Sequence, residues 1–134
     1  MPRQVATTRR LRLEGLEPRL VLDTGPLWIS EFAAKNSKLL DNFGQKSDWI
    51  EIHNHSSAPV NLTGWALTDE ASDLDKWRFP TTLLPAGGYL VVMASDRNTN
   101  VAGQLHTNFK LSAGGGVLAL LDPAGNVVSA FPTY

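Results

Sequence analysis

The chain has 134 residues, 43% of them apolar, and a formal net charge of −1, which is enough apolar matter for the core of one domain with some chain left over. There is no cysteine, which excludes disulfides, a thiolate nucleophile and thiolate metal ligands, and the near-zero charge gives no electrostatic reason to expect nucleic acid or an acidic membrane as partner. The longest apolar runs, such as Tyr89 to Ala94 and Val117 to Leu121, are far too short to span a bilayer as a helix, so no transmembrane segment is expected.

Charge is unevenly spread. Residues 1–23 hold five arginines against three acids, and residues 24–134 hold seven bases against ten acids. A basic head precedes a mildly acidic body. The run Arg9-Arg10-Leu11-Arg12 is followed by Glu14, Glu17, Pro18 and Arg19, not by an uncharged apolar stretch, so the head is neither an ordinary signal peptide nor a twin-arginine one. Leu11, Leu13, Leu16 and Leu20 fall roughly at helical spacing, interrupted at Gly15 and Pro18, which suits a short helix or a disordered leader. Leu16-Glu17-Pro18-Arg19-Leu20-Val21-Leu22 resembles the LEPR segment found at the N-terminus of large surface or secreted proteins of planctomycete-type bacteria. That resemblance implies export, and an extracellular or cell-surface location. Thr24-Gly25-Pro26 marks the expected boundary, giving a sorting segment and linker over residues 1–26 and a body over 27–134.

From Leu27 onward short β-like segments alternate with turn residues, and helical periodicity is missing. Leu27 to Phe32 opens the body, Asp41 to Ser47 is a polar loop, and Trp49 to Asn54 follows with Ile50 and Ile52 on one face. Val60 and Leu62 alternate, then the apolar phase jumps to Trp65 and Leu67, which predicts a bulge or kink at Thr63-Gly64. In Lys76-Trp77-Arg78-Phe79-Pro80 the two aromatic rings face inward and the two bases face water. Leu84 to Gly88 is a turn, and Tyr89 to Ala94 reads as a strand covered on both sides. Asn108 to Leu111 alternates as another strand. Val117 to Leu121 and Val127 to Phe131 form a hairpin around Asp122-Pro123-Ala124-Gly125-Asn126. The sum is an all-β sandwich of about eight strands.

The ordered series of Ile29 and Glu31, Asp48-Trp49-Ile50-Glu51, Asn54, Val60, Leu62, Gly64-Trp65, Leu67, Asp69, Trp77 to Pro80, Leu84 to Val92 and Phe109 to Ser112 resembles the lamin tail domain. The resemblance covers roughly Leu27 to Phe131. It implies an immunoglobulin-like β-sandwich acting as an adaptor or packing module. Bacterial members sit as modules in larger secreted proteins; the nuclear-filament role of eukaryotic members needs a coiled-coil rod and is not carried over. Members often continue past the last hairpin with another short strand, so the chain is expected to continue beyond Tyr134 or to lack that edge.

Residues that carry chemistry are sparse. His53 and His55 have strand spacing and His106 is a third imidazole, but nothing in the sequence brings it near them, and no metal is expected. Asp69, Glu70, Asp73 and Asp75 crowd one turn, as a calcium site would need, yet lack the order of a calcium loop. Ser56 and Ser57 have no acid placed to orient a base, and no nucleophile elbow is present. Ala113-Gly114-Gly115-Gly116 reads as a hairpin or connecting turn: no Lys-Ser/Thr of a phosphate loop follows, and Val117 opens a strand and not a helix. Asn61-Leu62-Thr63 is formally a glycosylation acceptor.

Trp49 is out of phase with Ile50 and Ile52 and shares a face with Glu51 and His53. Trp49, Glu51 and His53 are therefore the candidate contact face, the alternative being a second buried face of the sandwich strand. The expected function is a non-catalytic adaptor of a larger secreted or surface protein, with no cofactor and with a protein or cell-surface component as partner. The competing expectation is a carbohydrate-binding or calcium-dependent binding module.

Overall fold

A computed structural model describes residues 25–131, 133 and 134, together with the backbone of residues 3–5 and 22–23. The described residues form thirteen short strands and no helix. In chain order they are β1 (Arg3–Val5), β2 (Leu22–Asp23), β3 (Leu27–Ala33), β4 (Asp48–Asn54), β5 (Val60–Asn61), β6 (Ala66–Thr68) and β7 (Trp77–Arg78). They continue with β8 (Leu83–Leu84), β9 (Tyr89–Ala94), β10 (Thr99–Val101), β11 (Gln104–His106), β12 (Leu118–Leu121) and β13 (Val127–Phe131). One sheet runs β1-β3-β4-β9-β11-β10, a second β2-β13-β12-β6-β7, and β5 and β8 pair as a separate ribbon. Neighbours are antiparallel except β9 and β11, which meet in parallel at Met93 and His106.

The two sheets bury the residues that alternation points inward. Ile29 and Phe32 of β3, Ile50 and Ile52 of β4 and Val92 of β9 meet Leu118 and Leu120 of β12, Val128 of β13 and Leu67 of β6. Trp65, Trp77 and Phe79 complete this core, with Trp77 and Phe79 edge-to-face at 4.8 Å. One buried polar bond ties the layers: the Ile29 amide donates to Ser129 Oγ at 3.0 Å. It satisfies an amide where β3 bulges between Ile29 and Glu31 and the ladder is interrupted.

Three sequence expectations change in detail. The phase jump between Leu62 and Trp65 is a change of sheet: β5 belongs to the ribbon with β8 and β6 to the second sheet. Gly64, at φ +84°, makes the corner, and Leu62, Trp65 and Leu67 are all buried. The expected strand at Asn108 to Leu111 contracts to a single bridge between Ser95 and Lys110, while the polar stretch before it forms the β10–β11 hairpin, turned by Ala102 and Gly103 at positive φ. Tyr89 to Ala94 is buried on both faces only from Val92 onward; Tyr89 is 60% exposed.

The β12–β13 hairpin forms as its turn chemistry predicts. Asp122 Oδ1 accepts from the amides of Ala124 and Asn126, and Gly125 sits at φ +90°. In the leader, β1 pairs with β3 and β2 with β13; Leu16 to Val21 and the leucine spacing over Leu11 to Leu20 lie outside the described residues.

Trp65 and Trp77 are 6% and 7% exposed, so truncating either to alanine removes a large ring from a close-packed interior. Each substitution is expected to cost about 3–5 kcal/mol in urea unfolding; a loss under about 1 kcal/mol at both would mean that neither ring belongs to the core.

Candidate functional site

The side chain of Asn54, at the end of β4, is fully buried and fully used. Its Nδ2 donates to the carbonyls of Ala58 (2.9 Å), Leu84 (3.0 Å) and Pro85 (3.1 Å), and its Oδ1 accepts from the amide and hydroxyl of Ser56. The Asn54 amide also donates to Gly88 O at 2.9 Å. These bonds fasten the end of β4 to the turn that leads into β9, and so fix what the two strands display beside it.

What they display is a row of rings. Register places Trp28 of β3 opposite His53 of β4, and His53 opposite Tyr89 of β9. His53 stacks on Tyr89 with centroids 4.1 Å apart, and His55 stacks on Trp28 at the same distance. Trp28 and His53 lie 6.2 Å apart, and His53 and His55 6.3 Å. His53 Nδ1 is 3.1 Å from Gly88 O; because that carbonyl only accepts, Nδ1 carries a proton and donates it there. Tyr89 and His55 are exposed, Trp28 and His53 half-buried. Such a row offers flat π-faces edged by hydrogen-bonding nitrogens and a phenol, which suits a sugar ring or a partner's apolar side chain.

Of the expected contact face, Glu51 and His53 are half-buried and Trp49 is 6% exposed. Trp49 packs in register between the small Ala33 of β3 and Met93 of β9, with Val91 alongside. The three do share the outer face of β4, but the open aromatic surface lies at the His53 end and recruits Trp28, His55 and Tyr89. Sequence reasoning missed Trp28 and Tyr89 because strand register, not spacing, makes them neighbours of His53. Midway along the face Glu31 and Glu51 stand opposite each other, and the Ser30 hydroxyl donates to Glu51 Oε1 at 2.7 Å.

The other candidates are dispersed. His106 lies inside the protein, away from the row. Among the described residues no three histidines or carboxylates converge where one metal ion could be held. Lys76 Nζ bonds Asp69 at 2.8 Å and also Glu70, while Arg78 bonds Asp75 at 3.1 Å, so cations occupy the acidic turn. The Ser56 hydroxyl is bonded to Asn54 Oδ1 and Ala58 O, with no base beside it. Asn61 Oδ1 is taken up by the amide and hydroxyl of Thr63. The glycine run has a packing role: a Cβ on Gly115 would lie 2.7 Å from Tyr134 O, and the Tyr134 amide donates to Gly116 O.

This architecture of two packed sheets and a corner at Gly64 agrees with a match to the family model described as Lamin Tail Domain, over residues 22–134. The chain belongs to the lamin tail domain family. No curated protein matches it. The lamin tail domain is a structural, immunoglobulin-like module, and no helix among the described residues is long and apolar enough to cross a membrane.

Two buried or half-buried titratable groups set how this lamin tail domain responds to acid. His106 Nε2 lies 3.0 Å from Gln104 Oε1, which also accepts from the Asn42 amide, and Nδ1 lies 2.7 Å from Ser95 Oγ. Gln104 Oε1 accepts, so Nε2 carries a proton, and burial favours the neutral ring, in which Nδ1 accepts from the Ser95 hydroxyl. Burial holds its pKa below 6.5; Asp41 opposes the shift and Arg97 adds to it. The folded state then binds fewer protons than the unfolded chain, so this stability is full above pH 6.5 and is lost as pH falls below it. Asp48 behaves oppositely: burial raises its pKa to about 6 against a hydrogen bond from the Leu111 amide and the charge of Lys110. Its contribution is present below pH 3.8 and is lost as pH rises to about 6. Asp48→Asn is therefore expected to raise stability at neutral pH by on the order of 1 kcal/mol, discounted for solvent screening, and to change little near pH 3. His106→Gln should flatten the loss of stability below pH 6.5. Chemical denaturation across pH checks both signs.

Proposed function

We propose that this lamin tail domain is a non-catalytic attachment module of a larger secreted or cell-surface bacterial protein, and that it attaches through the row Trp28, His53, His55 and Tyr89. The observation that carries this reading is the set of four rings, Trp28 of β3, His53 of β4, His55 just past its end and Tyr89 of β9, with His55 and Tyr89 exposed, on an outer face that is buried farther along β4 at Trp49. Large aromatic side chains on a firm β-scaffold supply contact area at small entropic cost, which is what an attachment surface needs. Hydrolytic chemistry has little support: the Ser56 hydroxyl is committed to Asn54 Oδ1 and Ala58 O, and the Ser95 hydroxyl, 2.7 Å from His106 Nδ1, pairs with a fully buried imidazole whose other nitrogen faces Gln104 Oε1 and not a carboxylate.

A second reading, a carbohydrate-binding module, is favoured by Tyr89 itself, whose exposed phenol is already stacked and so presents one flat face to a sugar. A calcium-dependent version is not favoured, because Lys76 and Arg78 neutralise the acidic turn.

A cell-envelope pulldown and a glycan array, each with and without calcium, separate the two readings. Attachment to envelope protein with no glycan hit supports the adaptor, and a glycan hit supports the second reading. Tyr89→Ala and His55→Ala are expected to weaken either by about tenfold, the effect of losing one ring from an interface, with the unfolding midpoint unchanged. Binding to neither surface, or binding untouched by both substitutions, sinks the role of the row. Location is tested apart from attachment. Residues 1–26 fused to a reporter should direct it out of a suitable bacterium, and replacement of Glu17, Pro18 and Arg19 should retain it inside; a reporter that stays in the cytoplasm with the intact head removes the surface assignment.

A further inference from the structure

At the other end of the strands that carry the aromatic row lies an open cleft of about 250 Å³. Asp48 and His53 are five residues apart on β4, about 17 Å at strand rise, so the two features do not overlap. Three cations from three separate segments line the cleft: Lys46 from the loop before β4, Arg97 from the turn after β9, and Lys110 from the stretch bridged to Ser95. Among the described residues none of the three has a carboxylate within ion-pair distance, whereas Lys76 and Arg78 elsewhere in the body are both paired. Gathering like charges costs energy unless something answers them. In a chain with more acids than bases, three cations without an ion pair around one cleft form a local feature that net charge conceals.

The cleft is also built to hold one of these cations still. Arg97 lies over the Phe43 ring at 3.9 Å, a cation–π contact that fixes its guanidinium plane. Its flanking residues Asp96 and Asn98 have φ of 65° and 50°, a left-handed backbone that non-glycine residues adopt at some cost. The turn is held by the Arg97 amide donating to Ser95 Oγ at 3.2 Å and the Asn98 amide donating to Thr107 O at 2.9 Å. Asp48, the single carboxylate of the lining, is half-buried and accepts from the Leu111 amide at 2.9 Å. It also feels the charge of Lys110, so this one carboxylate offsets part of the local charge and leaves the cleft with three cations against one anion. Ser47 and Ser95 add hydroxyls to the walls.

We infer that this cleft binds a tetrahedral oxyanion, a phosphate or sulfate group, between Arg97, Lys110 and Lys46. A planar guanidinium with two free edges engages two oxygens of such a group, and two flexible ammonium groups supply charge to the others. Free ions and esters borne by a larger molecule present the same chemistry, and the cleft's openness admits both.

The test is amide chemical-shift titration of the full chain with sodium sulfate, with inorganic phosphate and with a sugar phosphate monoester, each against sodium chloride at matched ionic strength. Saturable shifts confined to Lys46, Ser95, Arg97 and Lys110 are expected, with a Kd on the order of millimolar for the free ions. Tighter binding of the ester assigns the group to a larger ligand; equal binding assigns the free oxyanion. Arg97→Gln and Lys110→Gln, both at exposed positions, should each weaken binding by about tenfold, the loss of one charge-assisted contact. Phe43→Ala, which frees the guanidinium and removes an edge contact to His106 without removing a charge, should weaken it by less. Shifts no larger than those with chloride, or affinity unchanged in both glutamine variants, would overturn the inference. Because neither variant touches the aromatic row, failure here leaves the attachment reading standing, and the converse also holds.

Discussion

The geometry of the display surface depends on one buried amide. Asn54 has no apolar substitute, because its Nδ2 answers three carbonyls and its Oδ1 answers Ser56, all in a place that water does not reach. Leaving those groups unpaired would cost far more than the bonds are worth net. The consequence reaches beyond stability. Asn54 ties β4 to the residues on both sides of the Pro85–Gly88 turn, and Gly88 O in turn receives the Asn54 amide and lies beside His53 Nδ1. The height of Tyr89 and the tilt of His53 are therefore set by the same cluster, and the stacked pair is preorganised before any partner arrives.

The inward faces were legible from the sequence because they obey a period of two. Ile50 and Ile52, Trp77 and Phe79, and the β12–β13 hairpin needed only alternation and turn chemistry. The core therefore follows directly from local pattern. Where the pattern broke, between Leu62 and Trp65, the sequence marked the place but not the event. A bulge and a change of sheet produce the same phase jump, and only tertiary pairing with β8 on one side and β7 and β12 on the other tells them apart. The β10–β11 hairpin was hidden for a different reason. Its residues are polar, and its turn uses Ala102 at positive φ where Asn or Asp would have announced it.

Both candidate binding features were illegible for one physical reason: each is made by residues far apart in sequence. Trp28, His53 and Tyr89 are joined by register across three strands, and a shift of one residue in either pairing would dissolve the row. Lys46, Arg97 and Lys110 come from three connections whose convergence depends on the pairing of Asp48 with Ala94 and on the bridge between Ser95 and Lys110. Spacing did place Trp49, Glu51 and His53 on one face correctly. What spacing could not supply was the identity of the neighbours, and the neighbours decide that Trp49 is sealed while His53 is open.

A single sheet thus carries two chemically opposite ends. At one, aromatic rings and imidazoles are held by Asn54; at the other, cations surround a polar cleft. The strands between them are stiff, with the inner face locked into the core by Ile50, Ile52 and Val92 and the layers joined at Ile29 and Ser129. A rigid β4 fixes the separation of the two ends, so a ligand touching both would have to match that span as well as both chemistries. Matching on three counts is a stronger filter than either contact alone, since each surface by itself is small and adds little discrimination. In a family of structural modules, specificity of this kind has to come from the outer residues of the frame, and the two proposed patches are where this reading places it.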